Sequence, residues 1–429
     1  MKTFHIIVLI IFGVLAVIAV FVFATFSSRS SDAVGSVEVW GTLPIETMQN
    51  VLSAVKNQNK GYGQVRYREM PEGQFSATLT EAIAAGEGPD LVLLPAASVV
   101  NESDKLIPIS YRTVSRRAFQ DAFIEAGELF LNDSGVLGLP FSIDPYVLYW
   151  NRTLFSGSGI SRPPRYWDEF VDIAPKISKV TASGTLTQSA VALGEWQNIN
   201  HAKDILVSLI VGLGNPVVSV DGDGKYVATL NRQSDTGTSP AESALRFYGE
   251  FSDPVKSVYS WNRSQAPSQS AFLAGTLGAY FGQASEVFTL RAANPNLNFD
   301  VAPYPRVRGG VEAVPASVYA LSIPRGSTNT RGALLTALLL SGAETQKILV
   351  AETGLPSVRR DVQSVSPENP YESIFRDASL NAYGFRDPNP AATDAIFRRM
   401  VEGVSSGELR ISEAIQSGQR ELDALLKVQ

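Results

Sequence analysis

The sequence predicts an α/β protein of at least two domains, built on mainly parallel sheets flanked by helices and preceded by a hydrophobic N-terminal segment. Three observations carry this. The chain has 429 residues, more than a single hydrophobic core usually serves. Stretches with strand and helix periodicity alternate along it, the order that yields parallel sheet with crossover helices. Leu91 to Leu94 is an unbroken apolar run, which suits a strand covered on both faces.

The elements follow in order. Ile6 to Phe26 is 21 residues without a charge, and as a helix it spans about 30 Å, the thickness of a bilayer core. Lys2 precedes it, which favours an N-in, C-out orientation. It reads as an uncleaved transmembrane anchor, with residues 1–5 cytoplasmic. The alternative is a secretory signal, for which Val22-Phe23-Ala24 makes a poor cleavage site. Ser27 to Ser36 is a flexible, Ser-rich tether. Val37 to Trp40 reads as the first strand. Ile45, Met48, Leu52 and Val55 recur at helical spacing. Gln64 to Met70 alternates as a strand, and Phe75, Leu79 and Ile83 line one face of a helix.

Further on, Trp167 to Ile177 and His201 to Leu213 have helical patterns, with a short strand at Ala190 to Leu193 between them. Val217 to Leu230 reads as a hairpin turning at Asp221-Gly222-Asp223-Gly224. That turn is no calcium loop, because position 5 would be Lys225 and position 12 Arg232. Helices are expected at Ala241 to Phe251 and Ser268 to Ala274, and strands at Thr276 to Phe281, Phe299 to Pro303 and Val318 to Ile323. Helices at Thr328 to Leu340, Glu344 to Ala351, Ala391 to Glu402 and Ile411 to Leu426 complete the chain.

The stretch Gly138 to Phe155 stands apart. It carries Asp144 before Pro145, then the β-rich run Tyr146-Val147-Leu148-Tyr149-Trp150-Asn151. Proline biases the preceding residue to extended geometry and removes a ladder donor, so a strand entered through a fixed bend is expected. With Leu139-Pro140-Phe141 before it, and with Gly86-Glu87-Gly88-Pro89-Asp90, Tyr166-Trp167-Asp168-Glu169-Phe170, Phe272-Leu273-Ala274-Gly275 and Gly354-Leu355-Pro356-Ser357 in order, the chain resembles the extracellular solute-binding proteins of ABC importers, sugar type, the maltose-binding-protein-like family. The likeness runs over roughly residues 36 to 425.

The resemblance implies a two-lobe periplasmic-binding-protein-like fold of class II, with the chain crossing between lobes three times. The crossings fall near Ile143, between Val311 and Ser317, and near Gly354. One lobe would be 37–143 plus 316–353, the other 145–315 plus 354–429. In open parallel sheets ligands sit beyond the carboxyl ends of the strands, so those ends would line one cleft.

Candidate ligand-binding residues follow. Trp40 and Thr42 lie at the end of the first strand; Trp40 would stack on a sugar or simply cover the sheet edge. Ser98, after Ala96 and Ala97, is the polar group at the end of the next buried strand, where sugar-binding relatives often place an Asp. Asp144 aligns with the family's acidic contact, since a carboxylate accepts from two hydroxyls; as an alternative it caps the turn before Tyr146. Trp196 offers an aromatic face or a core side chain. Gly282 and Gln283 begin the loop where the family touches ligand, and Tyr319 follows the second crossing. Asp90 reads as a structural cap, and Arg359 and Arg360 as a solvated pair.

Composition removes other classes. Net charge is −6, which gives no footprint for nucleic acid. Cysteine is absent and histidine occurs only as His5 and His201, so thiolate and histidine metal sites, cysteine nucleophiles and a histidine-based triad are nearly excluded. No cofactor is expected. The resulting expectation is a monomeric, membrane-tethered protein that captures a small solute, a sugar or oligosaccharide, and docks on the importer's permease, with no enzyme activity. Alternatives are an anchored glycan hydrolase, which needs two carboxylates about 5–10 Å apart, and a sensing or adhesion module of the same fold.

Overall fold

The computed structural model describes residues 34–62, 64–234, 237–363 and 370–427. The expected membrane segment 6–26, and the tether up to residue 33, lie outside them. Among the described residues no single helix is long and apolar enough to cross a membrane.

Eight strands organise the molecule: β1 (Val37–Gly41), β2 (Val65–Glu69), β3 (Leu91–Pro95), β4 (Leu139–Asn151), β5 (Leu186–Val191), β6 (Leu277–Gln283), β7 (Phe299–Ala302) and β8 (Val314–Ser322). With two short segments they form one ten-stranded sheet in the order β2-β1-β3-β8-β4-β6-β5-Lys179–Val180. β7 pairs with β4, and Ala382–Tyr383 with β8. The apolar run read as a doubly covered strand is one: Leu91, Val92, Leu93 and Leu94 are each 0% exposed.

The sheet is mixed, not mainly parallel. β1 runs parallel to β2 and β3, and β5 parallel to β6. β8 is antiparallel to β3 and β4, and β4 is antiparallel to β6 and β7. The reason lies in β4 and β8, which serve both lobes. β4 pairs first with β8 (Leu139 with Leu321, Ile143 with Val318, Asp144 with Ser317) and then with β6 (Tyr146 with Gln283, Trp150 with Ala279). The bend expected at Pro145 is therefore absent, and the strand continues through it. Pro145 sits where β4 changes partners, so its missing N–H interrupts neither ladder, and its carbonyl accepts the N–H of Ala284 at 2.8 Å.

Two hydrophobic cores flank this junction. One gathers Val37, Leu52, Leu93, Phe119, Phe141 and Ile143 with Val318, Leu321, Leu340 and Val358. The other gathers Tyr146, Phe170, Val191, Ile210, Phe272 and Val314 with Phe375, Met400 and Leu422. The first two changes of core along the chain fall beside Asp144 and Ala316. Just beyond Gly354, Leu355 packs against the second core. Val358 still belongs to the first core, and Gln346 holds this segment by accepting from Ser357 Oγ at 2.9 Å and from the Val358 N–H at 3.3 Å. Arg360 donates to the Phe123 carbonyl at 2.6 Å, and Arg359 pairs with Asp361 over the Phe123 ring, so these arginines clamp the first lobe and are not a merely solvated pair. The chain rejoins the second core through the helix Pro370–Leu380.

Gly354 stops the helix Ala343–Thr353 in the left-handed region, at φ 67°. A Cβ there would stand 3.0 Å from the ring of Phe288, which belongs to the other lobe's helix Glu286–Ala293. Gly354→Ala is expected to cost about 1–2 kcal/mol from the left-handed backbone alone, read as a lower urea midpoint with unchanged slope.

Asp90 is the structural cap the sequence suggests. It accepts from the N–H of Glu38 at 3.1 Å and of Asn329 at 2.9 Å, tying β1 to the helix Thr330–Leu340. Asp221 Oδ1 likewise accepts from the N–H groups of Asp223 and Lys225, both at 2.9 Å, closing the hairpin turn.

Candidate functional site

The carboxyl ends of β1, β3 and β6 converge on the middle of β4 and β8. Gly41 lies beside Leu93, Pro95 beside Tyr319, Tyr319 beside Ser142 and Ser317 beside Asp144, and Gln283 beside Tyr146. This puts Thr42, Ser98 and Tyr319 on the first lobe's side of the junction, and Gly282 and Gln283 on the second's. Asp144 stands between.

Asp144 is half-buried and its Oδ1 accepts the N–H of Ser285 at 3.1 Å, at the start of the helix Glu286–Ala293. Burial pushes its carboxyl up to about 6, with the Ser285 hydrogen bonds opposing and the charge of Glu286 reinforcing the rise. It caps a turn, as the alternative reading had it, but the turn after β6. Gln283 is a bridge. Its N–H donates to Glu286 Oε1 at 2.8 Å, its Nε2 donates to Ser317 Oγ on β8 at 2.6 Å, and its carbonyl accepts from the Tyr149 hydroxyl at 2.6 Å. Gly282 makes room: a Cβ would fall 2.7 Å from Glu286 Oε1 and 2.7 Å from the Tyr280 ring. On the other side, Ser98 is half-buried in the single turn Ala96–Ser98. Among the described residues the buried hydroxyl oxygen of Thr42 has no hydrogen-bond partner.

The two tryptophans proposed as stacking platforms are not free to act as such. Trp40 is 5% exposed, its N–H donates to Glu38 at 2.7 Å and Arg68 lies 5.1 Å over its ring. Trp196 is 6% exposed inside the second core. β5 ends at Val191, so the loop carrying Trp196 is longer than the sequence reading allowed and folds the ring inward. Trp261, with its N–H on Asn198 at 3.1 Å, is fully buried.

Sequence reasoning missed the most connected group. The Tyr146 hydroxyl donates to Asp204 Oδ2 at 2.9 Å and stands 2.9 Å from His201 Nδ1. His201 Nε2 meets Glu286 Oε1 at 2.9 Å. Glu286 also accepts from the Tyr280 hydroxyl and from Gln269 Nε2, each at 2.6 Å. Burial pushes the Glu286 carboxyl up, but the hydrogen bonds from His201, Tyr280 and Gln283 outweigh it and hold the group below the usual carboxylate range. The partners of His201 lie 55 and 85 residues away, so no local pattern joins them. The arrangement ties β4, β6 and the helices Ala202–Gly212 and Glu286–Ala293 together through hydroxyl, imidazole, amide and carboxylate groups.

Residues 51–373 match the family described as bacterial extracellular solute-binding protein. A protein of Brucella abortus (strain 2308) named as a binding protein is 28% identical over 133 residues, 30% of this chain and 31% of that protein. The aligned stretch thus spans under a third of that relative. The fold is similar to that of an ABC-transporter solute-binding protein of Thermotoga lettingae bound with α-D-tagatose, with 20% identity, a TM-score of 0.67 and coverage of 91% of this chain and 99% of the other. It is similar also to a cyclic α-maltosyl-1,6-maltose-binding protein of Arthrobacter globiformis, with 18% identity, a TM-score of 0.72 and coverage of 92% and 100%. A maltose/maltodextrin-binding domain of Bdellovibrio bacteriovorus bound to maltotriose shares 14% identity at a TM-score of 0.69, over 92% and 100%.

Proposed function

Because the chain belongs to the bacterial extracellular solute-binding proteins, we propose that it captures a sugar or oligosaccharide outside the cytoplasm and delivers it to the permease of an ABC importer. The observation that carries this reading is the pair of strands β4 and β8 passing between two separate cores. Such strands act as a hinge, and a solute held by both sides shifts the population toward closure. Asp144 between the two sides and Gln283 from the second, with Thr42, Ser98 and Tyr319 from the first, are the proposed contacts. Trp40 and Trp196 support the walls. The protein binds its solute and leaves it chemically unchanged. The segment 6–26 is proposed to remain as a single-pass anchor, with the protein acting as a monomer.

Thermal unfolding against a panel of maltotriose, maltotetraose, tagatose, amino acids and polyamines tests the proposal. A ligand that binds only the folded state adds about 2.7 kcal/mol at one hundred times its Kd. A shift with the sugars alone, lost in Asp144→Ala and Gln283→Ala, is the expected result. A folded protein that shifts with no solute would overturn capture in favour of a sensing or adhesion role.

A further inference from the structure

His201 sits at the start of the helix Ala202–Gly212 with a left-handed backbone, φ 62° and ψ 27°, a conformation rare outside glycine and asparagine. Its side chain is 25% exposed and that of Glu286 is 12% exposed. Counting protons defines its state. Where Asp204 is a carboxylate, the single hydroxyl proton of Tyr146 goes to its Oδ2, and the contact between Tyr146 and His201 Nδ1 then takes a proton from the ring. Glu286 accepts from Gln283, Tyr280 and Gln269, so it is an ionised carboxylate and the contact with His201 Nε2 also needs a proton from the ring. A neutral imidazole has one N–H and cannot make both. With Asp204 and Glu286 both as carboxylates, all three bonds exist together in the imidazolium.

The clamp reaches the hinge. Glu286 holds the Gln283 N–H, and Gln283 holds Ser317 on β8, directly opposite Asp144 on β4. We propose that His201 is a positioning residue for solute capture, locking the second lobe's wall of the cleft to the hinge as an imidazolium and releasing it when neutral, so that capture weakens as pH rises. This rests on the binding reading above.

The groups facing the ring are consistent with it. β4 presents Tyr146 and Asp144, the histidine's own helix presents Asp204, and the neighbouring helix presents Glu286. Tyr280 on β6 reaches Glu286, and Tyr304 packs edge-on against Tyr146. Lys203 turns away to Asp387 at 2.9 Å. Burial pulls the imidazole down, but Glu286, Asp204 and Asp144 outweigh it and hold it above its ordinary value. A group raised on folding stabilises below its unfolded pKa, and the contribution is lost as pH rises through the folded one.

The chain has two histidines, so full-length protein labelled with 15N-histidine gives two imidazole signals, and His201→Asn identifies one while suiting the left-handed backbone. Three results are expected. His201 carries both ring protons at pH 6.5 and titrates above the ordinary histidine value. The protection of the Gln283 amide against hydrogen exchange, corrected for intrinsic rate, falls through that titration in the native protein and is flat in His201→Asn. The Kd for maltotetraose rises with pH by about tenfold for each unit by which binding raises the histidine pKa, and this dependence is lost in the variant. A His201 with one ring proton at pH 6.5, or a Gln283 amide indifferent to its titration, would overturn the inference. Failure of maltotetraose to bind at any pH would count against oligosaccharide capture instead, while the ligand-free measurements still decide the clamp.

Discussion

Replacing Asp144 by asparagine is expected to stabilise the protein at pH 7.5 by about 1–3 kcal/mol while weakening solute capture. The sign follows from the direction of the shift. Burial raises the carboxyl from 3.8 to about 6, so ionising it costs more in the folded protein than in the unfolded chain. The cost fades as pH falls below 3.8, where both states become protonated, and is complete above the folded value. Asparagine keeps an oxygen for the Ser285 N–H and carries no charge. Urea unfolding of native and variant protein should therefore nearly coincide at pH 3.5 and diverge by pH 7.5. A variant less stable at pH 7.5 would refute this account. A carboxylate kept at a stability cost between two lobes is the kind of feature that function retains.

Glu286→Ala should have the opposite and larger effect, a loss of about 3–5 kcal/mol, the usual consequence of removing one partner from a buried charged network. Four donors lose their acceptor together: the Gln283 N–H, His201 Nε2, the Tyr280 hydroxyl and Gln269 Nε2. Glu286→Gln, which keeps one carbonyl oxygen but brings an amide against donors, should fall between. Denaturant midpoints of the three proteins measured at one pH check the order. If alanine were tolerated within 1 kcal/mol, the network would not be holding the end of β6.

Much of this fold can be read from periodicity, since local spacing decides which face of an element is apolar. Ile45, Met48, Leu52 and Val55 mark the helix Ile45–Gln58, and the hairpin around Asp221 forms where its turn residues stand. The strand from Leu139 to Asn151 was legible in part through its order of residues, although Pro145 hid its continuity. Proline forbids a ladder donor only where a partner waits for one, and here the partners change. Trp40 and Trp196 could not be placed by sequence, because a ring that lines a cleft and one that fills a core have the same neighbours in the chain. His201, Asp204 and Glu286 were invisible as a group because their bonds join separate elements, although Glu286 could have been noticed as an acid opening a helix three residues after Gln283.

The placing of β8 between β3 and β4 also sets the order of assembly. Leu93 must wait for Leu321 as its neighbour, and residues 145–315 of the second lobe separate them along the chain. Closing so long a loop is slow and entropically costly. A chain emerging from its N-terminus therefore presents β3 with one apolar edge unpaired until residues 314–322 arrive, an edge open to wrong partners in the meantime. The second lobe has most of its core in hand before the first can close. The sheet of the lobe that begins the chain is thus completed only after most of the other lobe's core has emerged, and the strand that completes it is the one shared with that other lobe.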